Sequence, residues 1–186
     1  MILATAVKKT SFSALLLLII FSTVCLAAQP APEYQIKAAF LYKFLLFAKW
    51  PADASNESET AITIGILGKD PFGDAFRPVE GQSVHGKTLT IRRFEKGTPP
   101  DMLKACHLLF ISASLKNDME EIVASLRDYP VLTVSELKVF TQLGGMISFV
   151  TKKDTVGFEI NKRAAERVGI KLRSKLLRVA TRIVEE

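Results

Sequence analysis

Apolar positions change period several times along the chain, and each change marks an element. From Glu33 to Pro51 the sequence reads EYQIKAAFLYKFLLFAKWP, with Ile36, Phe40, Lys43 or Phe44, Phe47 and Trp50 at steps of three and four. That period predicts an amphipathic helix with a broad apolar face, stopped by Pro51. The polar stretch ADASNESET reads as a loop. AITIGILG is a buried strand ending at Gly68. KDPFGDAFRPVEG predicts a turn and a short helix, with Asp70 as cap and Pro71 in the first helical position. KTLTIRRF alternates and predicts a strand.

The second half continues the alternation. TPPDMLKA is a short helix, and CHLLFISAS is an apolar strand with Cys106 as its first residue. LKNDMEEIVASLRDY predicts a helix with Leu115, Met119, Ile122, Val123 and Leu126 on one face. PVLTVSE is the next strand, and Ser135 is placed to cap a short helix ELKVFTQL that Gly144 and Gly145 end. MISFVTKKDTVGFEI predicts a β-hairpin turning at Lys152 to Thr155. NKRAAERVGI is a helix capped by Asn161. RSKLLRVATRIVEE predicts a last helix, apolar at Leu176, Leu177, Val179, Ala180 and Ile183.

Strands alternating with helices predict one α/β domain of three layers. Its central sheet is expected to be mostly parallel, with helices on both faces and the C-terminal hairpin adding antiparallel edge strands. In such sheets, ligand loops lie beyond the carboxyl ends of the strands. The loops GKDPFG, SASLKND and SELK are the candidates, and Asp70 and Phe72 are the candidate contacts in the first.

The start of the chain changes the setting. Lys8 and Lys9 precede SFSALLLLIIFSTVCLAA, and no charge follows until Glu33. A short basic region, an apolar run and alanines at its end predict a cleaved secretory signal over residues 1–28 and a domain over 29–186. A retained anchor and a lipoprotein modified at Cys25 are the alternatives. The run is near the lower limit for a bilayer span, and Val24 fits poorly before a lipidated cysteine. Loss of Lys8 and Lys9 lowers the formal net charge of +6 by two. For an exported chain that balance points away from nucleic acid and toward ordinary solubility, an anionic surface or an acidic partner. Removal of Cys25 leaves Cys106 as the lone thiol, so no internal disulfide forms; its apolar context reads as a small buried hydrophobe.

One stretch raises a specific chemistry. GQSVHGKT, from Gly81 to Thr88, fits the phosphate-loop pattern G-x-x-x-x-G-K-[ST]. A working phosphate loop follows a buried strand and opens a helix. Here DAFRPVE precedes it and LTIRRF follows, so Lys87 and Thr88 are expected to enter a strand, with Val84 packed inward. No apolar strand ends in the aspartate that would hold magnesium. There is no G-x-S-x-G elbow, and the two histidines, His85 and His107, lack the spacing of a zinc site. No catalytic residue, metal or cofactor is expected.

Several blocks occur together in a recognisable order: IKAAFLYKFLLFAKWP, IGILGKDPFG, GQSVHGKTLTIRR, CHLLFIS, VLTVSE, GGMISF, VGFEIN and GIKLRSKLLRVA. The set resembles the YfiR family of exported bacterial regulators, from about Ile36 to Ala180. The resemblance implies a periplasmic regulator that works by protein contact rather than catalysis. In that family a member represses an inner-membrane diguanylate cyclase through its periplasmic region, and an outer-membrane lipoprotein sequesters the repressor. It also implies a homodimer; a periplasmic small-ligand binding protein is the alternative reading. The family's best-known member uses disulfides, which this chain cannot form internally. The expected docking surfaces are the apolar first helix and the basic last helix with Lys171, Arg173, Lys175, Arg178 and Arg182. Arg178 and Arg182 would share a helix face.

Overall fold

Strand β2 (Ala61–Leu67) organises the molecule. The computed structural model describes residues 32–52, 60–153 and 155–184. The expected leader and most of the ADASNESET loop lie outside the described residues. β2 is flanked by β4 (Lys87–Phe94) and β5 (Leu108–Ile111), and pairs parallel with both. The sheet continues through β6 (Leu132–Ser135) and β7 (Ile147–Lys152), each parallel to the strand before it. β8 (Thr155–Asn161) then returns antiparallel to β7. The central strands β2, β5 and β6 are short and buried almost throughout, as strands covered on both faces require, whereas β4 alternates and leaves Arg92 and Arg93 exposed.

Two cores form, one on each face. On one lies α1 (Pro32–Phe47), whose Ala38, Leu41, Phe44 and Leu45 pack on Ile62, Ile64, Phe110, Phe149 and Phe158. Phe44 stacks on Phe149 and meets the Phe158 ring edge-on at 4.9 Å. On the other lie α2 (Pro100–Lys104) and α3 (Met119–Leu126), packed on Leu67, Phe94, Leu109 and Ile111. Gly65 points to this second core. A Cβ there would stand 2.7 Å from Leu109 Cδ1 and 2.8 Å from Cys106 Sγ, so the strand approach requires glycine. The expectation of a single α/β domain with helices on both faces holds.

Details differ from expectation at five places. The buried stripe of α1 is Lys37, Ala38, Leu41, Phe44 and Leu45, while Ile36 is 43% exposed. The helix is apolar nearly all round, so periodicity left its orientation undetermined; the aromatic cluster on β7 and β8 decided it. Asp70 does not cap a helix. Its Oδ1 accepts from Phe72 N–H at 2.7 Å, and the following turn is a 3-10 segment from Gly73 to Phe76. Cys106 lies before β5 rather than opening it.

ELKVFTQL forms successive turns, not a helix. Its carbonyls are drawn to the sheet instead: Ser148 Oγ–H donates to Leu137 O at 2.8 Å, and Asn161 Nδ2–H to Thr141 O at 2.9 Å. The last helix is the largest departure. RSKLLRVATRIVEE gives a four-residue helix, α5 (Ser174–Leu177), then β10 (Arg182–Val184), which pairs parallel with β8. β8 offered an open edge, and the β-branched Thr181, Ile183 and Val184 suit a strand. The hairpin is therefore confirmed but does not form the edge of the sheet. α4 (Lys162–Arg167) begins as expected, with Asn161 Oδ1 accepting from Ala164 N–H at 2.9 Å.

Candidate functional site

The phosphate-loop pattern resolves into a hairpin corner. β3 (Ser83–Val84) pairs antiparallel with the start of β4, in the register Val84 to Lys87. His85 and Gly86 make the two-residue turn with positive φ of 52° and 81°. Both central residues in the left-handed region is the geometry a tight hairpin needs. Val84 is fully buried, as expected, and Lys87 opens β4. No helix follows whose N-terminus would face a phosphate.

The carboxyl ends of the parallel strands were the expected ligand edge. β2 is the point where the chain order reverses, with β4 on one side and β5 on the other. The two loops there close on each other. Lys69 N–H donates to Ser114 Oγ at 3.0 Å, and Ser114 Oγ–H to Ser112 Oγ at 3.1 Å. Asp70 Oδ2 accepts from Arg93 Nε–H at 2.7 Å. Phe72 is fully buried, with its ring against Tyr34, Phe76 and Phe110. Asp70 and Phe72 thus anchor the loop to strand and helix; Phe72 is closed off, while the Asp70 carboxylate stays partly exposed beside Arg93.

Beside them lies a charged clamp that sequence reasoning missed. Lys37 is 3% exposed, yet its Nζ stands 2.6 Å from Glu136 Oε2 and 2.7 Å from Glu33 Oε1. Tyr34 O–H donates to the same Glu136 oxygen at 3.1 Å, and Thr151 Oγ1–H donates to Glu33 at 2.9 Å. Burial works to lower the Lys37 pKa, but the hydrogen bonds to Glu136 and Glu33 outweigh it and hold the pKa raised. The Lys37 hydrogen bond, against some burial, holds the Glu33 carboxyl below its usual range. Burial, then the Glu136 charge, raises the Tyr34 phenol. The clamp ties the start of α1 to the ends of β6 and β7. Glu33 and Lys37 sit one helical turn apart, a readable signal; Glu136 came from an element misread as a helix.

The expected basic residues gather at the far end of the chain. Lys171 lies on β9 (Lys171–Leu172), which pairs with β1 (Ala48–Lys49), and Arg173 follows it. Lys175 holds its ammonium 5.7 Å from the centre of the Phe47 ring. Arg178 is exposed after α5, and Arg182 pairs with Glu159 at 2.9 Å on the sheet edge. Arg178 and Arg182 do not share a helix face, because the chain is extended by Arg182. What survives is a basic surface segment: from Arg167 to Val184 the chain carries no acidic residue. Val179 and Ile183 are 63% and 39% exposed within it.

Among the described residues, no group of three or more His, Cys, Asp or Glu side chains is placed to hold a metal. No helix among them is long and apolar enough to cross a membrane.

Two solved structures share features of this fold. One is a Streptococcus pneumonia ABC domain in complex with L-Trp, with a TM-score of 0.50 and 16% identity, over 66% of this chain and 55% of that one. The other is a conserved domain protein from Vibrio cholerae O1 biovar eltor, with a TM-score of 0.49 and 13% identity, over 83% of this chain and 60% of that one. This chain spans little more than half the length of either, and at such identity the likeness of the first concerns the fold alone. The sequence itself is matched from residue 34 to residue 181 by a family model described as YfiR/HmsC-like. With most of its length matched, the chain belongs to the YfiR/HmsC-like family.

Proposed function

We propose that this protein is a periplasmic regulator that binds the periplasmic region of an inner-membrane receptor, of the diguanylate cyclase kind, and holds it inactive. Family membership fits a regulatory role. The observation that carries the contact reading is the segment 167–184, which holds no acidic residue of its own, exposes Lys171, Arg173, Lys175 and Arg178, and exposes Val179 and Ile183 beside them. Such a surface suits an acidic patch on a partner: charge steers the encounter, and the apolar residues supply area to bury. Sequestration by an outer-membrane lipoprotein and homodimer formation belong to the same reading. Repression is then a population shift, because binding one receptor state better lowers the other.

The mature chain, immobilised and exposed to detergent-solubilised membranes, should retain a receptor. Lys175→Glu with Arg178→Glu should abolish that capture while leaving the melting temperature unchanged, since both side chains are exposed. Capture unaffected by this charge reversal would remove the segment as the docking surface. Unchanged cyclic di-GMP and receptor output on deletion would remove the regulatory reading.

A further inference from the structure

Three arginine side chains line one cleft without a partner of their own. The cleft, of about 470 Å³, lies between α3, the turns that follow β6, α4 and the end of β10. Arg127 at the end of α3 and Arg163 and Arg167 on α4 line it, and among the described residues Glu120 is the one acid that does. Val123 and Ala164, both buried, belong to its apolar wall. The cleft reaches the docking segment only at the two ends of that segment, Arg167 and Val184.

Local chemistry leaves these arginines unpaired. α4 reads KRAAER, with Glu166 as its one acid. Lys162 takes it, with Nζ 3.2 Å from Oε1 one turn further on. Arg163 and Arg167 are also one turn apart and share a face, but they carry the same sign, a spacing that disfavours a helix. Arg127 adds a third cation from another element. None of the three side chains forms an ion pair or hydrogen bond among the described residues. Folding gains nothing from collecting three guanidinium groups around one cleft, and their repulsion works against it.

The same cleft contains an unsatisfied hydroxyl. Thr141, one of the lining residues, is 1% exposed, and its Oγ1 has no hydrogen-bond partner among the described residues. Native interiors avoid that state. Its carbonyl, by contrast, accepts from Asn161. What the cleft lacks is an acceptor, and a negatively charged one.

We propose that this cleft binds a small polycarboxylate. Guanidinium groups take carboxylates through paired, planar hydrogen bonds. Three of them on two elements suit two or three carboxylates on a short carbon frame better than one compact anion. With Glu120 counted, the lining is positive by two charges, which a dianion or trianion offsets. The Thr141 hydroxyl donates to a carboxylate oxygen, and Val123 and Ala164 meet the carbon frame. The volume falls in the lower half of the range for small-molecule sites. Bound there, the molecule joins α3 to α4 across the turns 141–144. The assignment does not depend on the docking reading.

Citrate is the probe. Acetate retains a single carboxylate, sulfate the charge without the carbon frame, and hexaglutamate presents the same groups as an acidic peptide. Calorimetry on the purified protein should show saturable citrate binding, with Kd between about 10 μM and 1 mM, weakening as salt is raised. Amide resonances of residues 120–127, 141–144 and 161–167 should shift together, and those of 171–178 should not. Arg163→Gln with Arg167→Gln should weaken binding about tenfold or more without lowering the melting temperature, because a like-charge pair is removed. Thr141→Val keeps the shape of the wall and should weaken citrate binding while leaving the free protein as stable as before. The Lys175→Glu, Arg178→Glu variant should bind citrate as the parent does, which separates this site from the docking surface. No saturable heat with citrate, an equal response to acetate or sulfate, tighter binding of hexaglutamate, shifts centred on residues 171–178, or unchanged affinity in both the arginine and the threonine variants would overturn the proposal.

Discussion

A lysine that is 3% exposed depends on its partners, and Lys37 has two carboxylates and a phenol around them. Removing the lysine leaves Glu136, 18% exposed, without an ion-pair partner among the described residues. Lys37→Ala should therefore destabilise the fold by about 3 kcal/mol, the lower end for a broken buried pair because both carboxylates reach solvent. Lys37→Met with Glu136→Leu should recover much of that loss in urea unfolding, since an apolar pair carries no desolvation cost. The pH dependence has a definite sign. Glu33 has a lowered folded pKa, so its contribution is present above the usual carboxylate value and fades as pH falls through the folded one. Lys37 has a raised pKa, so its part fades only as pH rises through that raised value, above the ordinary 10.5. In Lys37→Met the acid-side loss attached to Glu33 should disappear. Half of this cluster was legible: the Glu33 to Lys37 spacing is visible in sequence, whereas the burial of Lys37 depends on β6 and β7 arriving from a hundred residues away.

Elements show a similar division. The five parallel strands were readable because each apolar run is bounded by turn residues and lacks helical length. The segment 136–145 was not, because its helical period competes with buried hydroxyl and amide groups supplied by other strands. Asn161 joins both problems: its oxygen caps α4 and its nitrogen holds Thr141 O. Asn161→Ala should cost about 2–3 kcal/mol, a lost cap plus a buried carbonyl left without its donor. Asn161→Asp retains the cap acceptor and loses the donor. Amide exchange should then remain slow at Ala164 and accelerate through residues 141–145; equal loosening of both regions would show that the side chain has no divided role. The C-terminal misreading has a different cause. Leu176 and Leu177 do begin a helix, but an open edge on β8 outweighs helical periodicity beyond Ala180, and no local signal reports an open edge.

At the scale of the whole molecule, Cys106, the one cysteine among the described residues, is a probe of global opening. Cys106 is 3% exposed, and burial pushes its pKa up to about 11, with Arg92 acting weakly the other way. Neither access nor thiolate is available in the folded state. Modification by a thiol reagent at neutral pH should follow unfolding as denaturant rises; rapid labelling of the native protein would show local opening between α2 and β5. The same long-range architecture bears on how the chain comes to be folded. Phe40 and Phe44 are near the start of the domain, and the rings they meet, Phe149 and Phe158, are near its end. During synthesis the first helix emerges with its aromatic side uncovered, and no earlier strand supplies those rings. Any nascent chain shorter than about 150 residues carries this sticky surface into the crowd. The distance between two pairs of phenylalanines thus sets how long that surface stays open, and with it the interval in which aggregation competes with folding.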